Sequence, residues 1–407
     1  MDLNRKKKII FSITLLLIGA LLVWAGVFWW NNLRGAGPAF RSPQDDIADI
    51  IEDKDKDLPD GENNTEFPLS LPEGFEISIF TDNVPDARVL VQDSLGNFWL
   101  SQPDEGTVSL LTIEDNEVTR VDPILQNLDR PHGLALDPEN GTVLYVAETD
   151  KISRVQLYSD GSFEKIADLP GGGRHYSRTI EFGPDGKLYV SIGSSCDVCY
   201  EEDPRRAAIY RMDKDGSNFE EFATGLRNAV FFDWSFVDGR MWATEMGRDR
   251  LGDNLPPDEI NIVEKGNDYG WPTCYGKNMH DTNFDKNQYI QNPCNEKTPS
   301  YIDLQAHSAP LGLVFIPEEG WPEEYWYDLL VAYHGSWNRT IPTGYKIMRF
   351  KLDDSGNVLG REDFISGWLQ DGTALGRPVD ILIQPGGIMY ITDDHAGVVY
   401  KVSYKGN

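Results

Sequence analysis

Basic and imidazole side chains recur at one kind of position in this acidic chain of 407 residues and formal charge −29. Arg88, His132, His175 with Arg178, Arg227 with Asn228, His307 and Arg377 each stand just ahead of a short apolar run. A single His or Arg at such a place is more often a packing or turn residue. Cations gathered at one mouth repel one another unless an anion sits among them, so the set as a whole points to an anionic ligand. A guanidinium holds carboxylates in a fixed fork, and an imidazole accepts a proton near pH 7 without a large pKa shift. The chemistry expected is the binding of a multiply charged, planar anion.

The apolar runs belong to a repeated unit of strand, Gly/Pro/Asp/Asn-rich turn and strand. The copies are 89–93 with 98–100, 133–138 with 144–146, 179–186 with 188–190, 229–233 with 241–243, 312–317 with 329–331, and 379–387 with 389–391. Repetition without an amphipathic helical pattern predicts an all-β, six-bladed β-propeller over 68–407; a decorated sandwich would not repeat one motif in this way. The long gap 247–306 reads as an insertion on a loop. In a propeller the innermost strands line a central channel, and the loops entering them meet at one mouth. Loops after the second strands reach the same end and bring Glu148, Asp150, the stretch 245–249, the stretch 334–339 with Trp337 as a flat wall, and Asp393, Asp394 and His395.

Ahead of the repeats, Arg5, Lys6, Lys7 and Lys8 precede an uncharged apolar run ending at Trp29 and Trp30, long enough for one transmembrane helix with its basic flank in the cytoplasm. Residues 1–30 are therefore expected to be an uncleaved anchor, in preference to a cleaved signal, and everything after them extracytoplasmic. The polar, acidic segment 31–67 reads as a flexible linker. The charge argues against nucleic acid as a partner. Four cysteines in an exported chain suggest structural disulfides. Cys274 with Cys294 reads as a loop staple. Cys196 and Cys199 form a Cys-x-x-Cys that could be a small disulfide loop, a redox pair or half a zinc site, and no second such pair supports zinc.

From Leu71 to Tyr404 the chain resembles the glucose/sorbosone dehydrogenase family. The resemblance rests on His175-x-x-Arg-x-x-x-x-Gly-Pro-Asp-Gly, Gly225-Leu-Arg-Asn, Asp258-Glu-Ile-Asn-Ile with Asn267-Asp-Tyr-Gly-Trp-Pro, and Gly376-Arg-Pro-Val-Asp. The stretches Cys196-Asp-Val-Cys and His334-Gly-Ser-Trp-Asn-Arg look more like its sorbosone-dehydrogenase branch. These enzymes are six-bladed propellers that use pyrroloquinoline quinone (PQQ), a planar tricarboxylate, with calcium. The resemblance implies oxidation of a sugar or aldehyde by hydride transfer to the quinone, with a separate electron acceptor.

By that similarity His175 is the general base, and Arg227 and Asn228 contact the quinone oxygens, Arg227 also stabilising developing charge. Gly247 and Arg248 fall where the family gives main-chain carbonyls to calcium, which would polarise the quinone. Arg377 aligns with one of two carboxylate-holding arginines, and the second is absent. Arg339 is the candidate for the family's cofactor lysine. His307 replaces a threonine, Arg248 a proline, and His132 and Arg178 complete the expected cofactor set. Two other readings stand beside this one: a calcium-dependent propeller lactonase, which needs carboxylates around its metal, and a non-catalytic binding propeller.

Overall fold

The computed structural model describes residues 3–28, 61–159 and 162–406. Six sheets of antiparallel strands are arranged as blades, each beginning with one of the expected apolar runs. The innermost strands are Leu90–Gln92, Leu134–Leu136, Ile180–Phe182, Ala229–Trp234, Pro310–Phe315 and Pro378–Ile383. Each pairs antiparallel with the second apolar run of its unit, for example Ile180 with Val190 and Phe182 with Leu188. Five of these second strands are buried throughout and that of blade two all but Val143, as the unbroken apolar pattern requires in a sheet covered on both faces.

The ring closes with a strand the repeats do not announce. Phe75–Thr81, ahead of the first blade, pairs antiparallel with Val398–Tyr404 and becomes the outer strand of the sixth blade. Glu62–Asn63 then adds to it in parallel, so the sheet already starts inside the stretch 31–67 expected as a spacer. Residues 31–60 of that stretch lie outside the described residues.

The gap 247–306 is only partly an insertion. Asp258–Val263 and Ile302–Leu304 are the third and fourth strands of blade four, and the added segment is 264–301 between them. That segment carries the Cys274–Cys294 disulfide, and Cys196–Cys199 is also a disulfide. The expected Cys274–Cys294 staple is formed, the Cys-x-x-Cys takes the disulfide-loop form among the alternatives left open, and the described chain has no free cysteine.

A helix runs over Leu3–Phe28, with Leu17, Leu21, Leu22 and Trp24 exposed. Among the described residues no helix is long and apolar enough to cross a membrane, so the fold does not establish the expected anchor. Trp29 and Trp30 lie outside the described residues.

Two devices position the channel mouth. Hydroxyls on second strands reach across to the next blade: Ser101 Oγ donates to the His132 carbonyl, Thr244 Oγ1 to the Leu311 carbonyl and Thr392 Oγ1 to the Arg88 carbonyl, each at 2.7 Å. Register also shifts near the start of three innermost strands, between Ala229 and Phe232, Pro310 and Leu313, and Pro378 and Ile381. Such bulges re-aim side chains. Two of them directly follow Arg227-Asn228 and Arg377.

Candidate active site at the channel mouth

At the mouth lies a cavity of about 350 Å³ lined by Arg88, His175, Arg227, Asn228, Gly247, His307 and Arg377, all singled out by the sequence. Arg174, Asp249, Asp258, His334, Trp337 and Asp394 complete much of the wall.

His175 is presented by the glycine-rich loop. Its Nδ1 lies 3.0 Å from the Ser194 carbonyl and 2.8 Å from Ser194 Oγ, which itself donates to the Cys196 carbonyl at 2.8 Å. Both partners therefore act as acceptors, Nδ1 carries the proton, and the lone pair is on Nε2. Burial, then the charges of Arg227 and Arg174, holds the ring well below the ordinary 6.5, so it is neutral. Gly193 is needed for this approach: a Cβ there would lie 2.6 Å from both His175 Cβ and Asn228 Oδ1.

Arg227 is nearly buried and fully oriented. Its Nε donates to the Asp197 carbonyl at 2.8 Å, Nη2 to the Asp197 carboxylate at 2.8 Å and Nη1 to the Met246 carbonyl at 3.0 Å. Arg174 pairs with Asp249, and Arg88 pairs with Asp394 at 2.8 Å. His334 Nε2 donates to Asp394 at 2.9 Å while its Nδ1 faces Arg377 Nη1 at 3.4 Å, so its ring serves as a spacer between charges. Most of the cationic charge at the rim is thus already offset by protein carboxylates. Arg377 differs: its contacts are the Tyr345 hydroxyl at 3.2 Å, the Gly335 carbonyl and His334, both at 3.4 Å, with no carboxylate among the described residues.

Gly247, one of the two residues expected to give a main-chain carbonyl to calcium, lines the cavity, whereas Arg248 does not. The Gly247 amide is fixed by Asp258 Oδ1 at 2.9 Å, and the Arg248 side chain turns away into a buried ion pair with Asp281. His307 Nε2 donates to the Gly252 carbonyl at 2.8 Å.

Three expected cofactor ligands are elsewhere. His132 is fully buried below the mouth, its ring 5.5 Å from that of Phe231, with neither nitrogen hydrogen-bonded in the described structure. Arg178 is also fully buried and donates to the carbonyls of His175, Ser177 and Pro170, stitching the loop that presents His175. Arg339 ties its own loop to the carbonyls of Asp253 and Ala306. That loop gives the cavity Trp337 and Asn338 instead, and Asn338 donates to Asp249 at 3.2 Å. Of the second-strand loops, Glu148, Asp150 and His395 do not line the cavity: Glu148 and Asp150 pair with Lys151, and His395 lies 3.2 Å from the Ala374 carbonyl.

Fold and site together define a six-bladed propeller with a basic, oxygen-lined pocket at one end of its channel. The sequence profile of the TrAA12-like family matches residues 69–405, and the chain belongs to that family. The kinship with sugar-dehydrogenase propellers implied by the motifs is thereby borne out. An uncharacterized protein of Borreliella burgdorferi is 32% identical over 358 residues, covering 83% of this chain and 91% of that one. Quinoprotein glucose dehydrogenase B of Acinetobacter calcoaceticus is 24% identical over 271 residues, 52% of this chain and 55% of its own. Among solved structures, the holo form of the pyranose dehydrogenase PQQ domain of Coprinopsis cinerea superposes with a TM-score of 0.69 at 18% identity, covering 85% of this chain and 99% of that one.

Proposed function

We propose that the protein is a quinoprotein oxidoreductase that oxidises a sugar or other aldose/aldehyde, using PQQ and calcium bound at the channel mouth. The observation that carries the reading is Arg377, a guanidinium on the cavity wall with no carboxylate of its own, in a pocket whose other arginines are already paired. An arginine left free in this way awaits an anion. Relatives named as a quinoprotein glucose dehydrogenase and a pyranose dehydrogenase PQQ domain support the choice of anion.

The residues fit a planar tricarboxylate. Arg377 would hold a carboxylate, Arg227 and Asn228 would face the quinone oxygens, Trp337 offers an exposed aromatic wall, and the carbonyls of Gly247 and Arg248 would hold calcium. When bound, PQQ supplies an electrophilic carbonyl carbon that accepts hydride, and calcium supplies a Lewis acid. The protein's own part is to remove a proton. His175 Nε2 accepts it from the substrate hydroxyl, its ring aimed by Ser194 and kept neutral by burial and by Arg227 and Arg174. Arg227, fixed on three sides, offers positive charge without reorganising.

A propeller lactonase would need its carboxylates free for metal. Glu181, Asp233 and Asp380 do line a second cavity further along the channel, but Asp233 and Asp380 are bonded to main-chain amides. Electrons would leave to a separate carrier. The apolar segment ending at Trp30 would anchor the chain, with the propeller extracytoplasmic. The test of function is aldose-dependent reduction of a dye by protein reconstituted with PQQ and calcium, run beside a lactone-hydrolysis assay. Dye reduction without hydrolysis is expected, and hydrolysis alone would sink the reading.

A further inference from the structure

The loop joining Leu188–Ile192 to Ala208–Met212 in blade three grips both halves of the expected machinery. Ser194 takes the Nδ1 side of His175, and its amide donates to the Arg227 carbonyl at 2.7 Å. Three residues on, Asp197 holds the Arg227 side chain through its carbonyl and its carboxylate, and the same carboxylate oxygen accepts the Asp249 amide at 2.9 Å. Two of the three hydrogen bonds that orient the guanidinium therefore come from one residue. Despite burial, Arg227 and the Asp249 amide hold the Asp197 carboxyl below its ordinary range, so it is charged.

Asp197 sits inside the short loop closed by Cys196–Cys199. Outside the disulfide, that turn is fastened by Ser194 Oγ to the Cys196 carbonyl, and by the amide and hydroxyl of Ser195 to Glu201, both at 2.7 Å. The crosslink removes conformations the turn would otherwise sample, which is how preorganisation strengthens binding. Both of its cysteines are partly exposed, whereas Cys274 and Cys294 are buried. A dithiol should reach the first pair before the second.

We infer that Asp197 is the positioning residue for Arg227 and that the Cys196–Cys199 disulfide fixes Asp197, so that reducing it loosens the site's hold on its anionic ligand. The identity of that ligand rests on the quinone reading above; the clamp does not. In the reduction, the S–S bond takes two electrons and two protons to give two thiols, while the dithiol becomes a cyclic disulfide.

The test uses the full chain, oxidised or treated with a dithiol at a dose that leaves Cys274–Cys294 intact by thiol counting, beside C196S/C199S and D197N. Without ligand, amide hydrogen exchange at Ser194 and Asp249 should quicken about tenfold on reduction, while strand Ala208–Met212 is unchanged. With PQQ and calcium, the PQQ dissociation constant should rise about tenfold or more in the reduced protein and in D197N, with the melting temperature of D197N unchanged. At saturating PQQ, D197N should also move the acid limb of turnover to lower pH, because the uncompensated Arg227 charge disfavours a protonated His175 further. Unaltered exchange at Ser194 and Asp249 would overturn the clamp, and equal affinity in D197N would overturn the positioning role. If D197N does not fold, the dithiol and C196S/C199S arms decide on the native Asp197. Failure of the oxidised wild-type chain to bind PQQ overturns the quinone reading, and exchange still judges the clamp.

Discussion

His175 and Arg227 divide the work in a way that substitutions can separate. His175 touches the site through a neutral ring alone, so His175→Ala should leave PQQ affinity within a few fold and lower turnover by about a hundredfold or more. Arg227→Ala should weaken both, because the guanidinium is part of the cofactor's seat. The lowered pKa of His175 keeps it a base below its ordinary 6.5, so the acid limb of wild-type turnover should lie below that value. Parallel titrations of PQQ binding and pH–rate profiles on the two variants check this. At this scale the sequence was a fair guide to residue type and a poor one to direction. Position ahead of a strand placed Arg88, His175, Arg227, His307 and Arg377 correctly, but it could not show that His132 and Arg178 point into the packing behind the mouth. The role of Asp197 escaped notice, and although His334 and Asp394 were both expected at the mouth their pairing was not legible, because in each case the partner is supplied by another blade.

Among the elements, the innermost strands do two jobs: they aim the rim residues by bulging and they tie neighbouring blades together. Asp380 is such a tie, accepting the Leu90 amide of the next blade at 3.1 Å. Burial pushes its pKa from 3.8 up to about 6. The folded state then binds a proton more tightly than the unfolded chain, so this contribution to stability is full below 3.8 and is lost as pH rises to about 6. Asp380→Asn keeps an acceptor and removes the titration. Its melting temperature relative to wild type should therefore rise across that window; a constant difference would refute the assignment. Hairpins of this kind were legible in the sequence, since apolar run, turn and apolar run are all local. The third and fourth strands of blade four were not, because they flank a segment whose disulfide and turns hide their period.

For the whole molecule, closure of the ring depends on Phe75–Thr81, which no repeat signals because its partner is more than three hundred residues away in the chain. Phe75 is buried against Trp321, Tyr325, Phe364 and Tyr404, and losing such a side chain alone costs about 3–5 kcal/mol. A chain beginning at Gly61 should melt as cooperatively as the full chain, whereas one beginning at Asn83 should not; equal thermal transitions would show the closure to be dispensable. Ligand binding at the channel mouth is read by one titration: PQQ added to the full chain in calcium, followed by the absorption of bound quinone, for wild type and Arg377→Ala. Saturable binding of one PQQ per chain is expected, weakened about tenfold or more by the substitution. No bound chromophore at saturating PQQ, or equal affinity in the two proteins, would rule out a quinone seat held by Arg377.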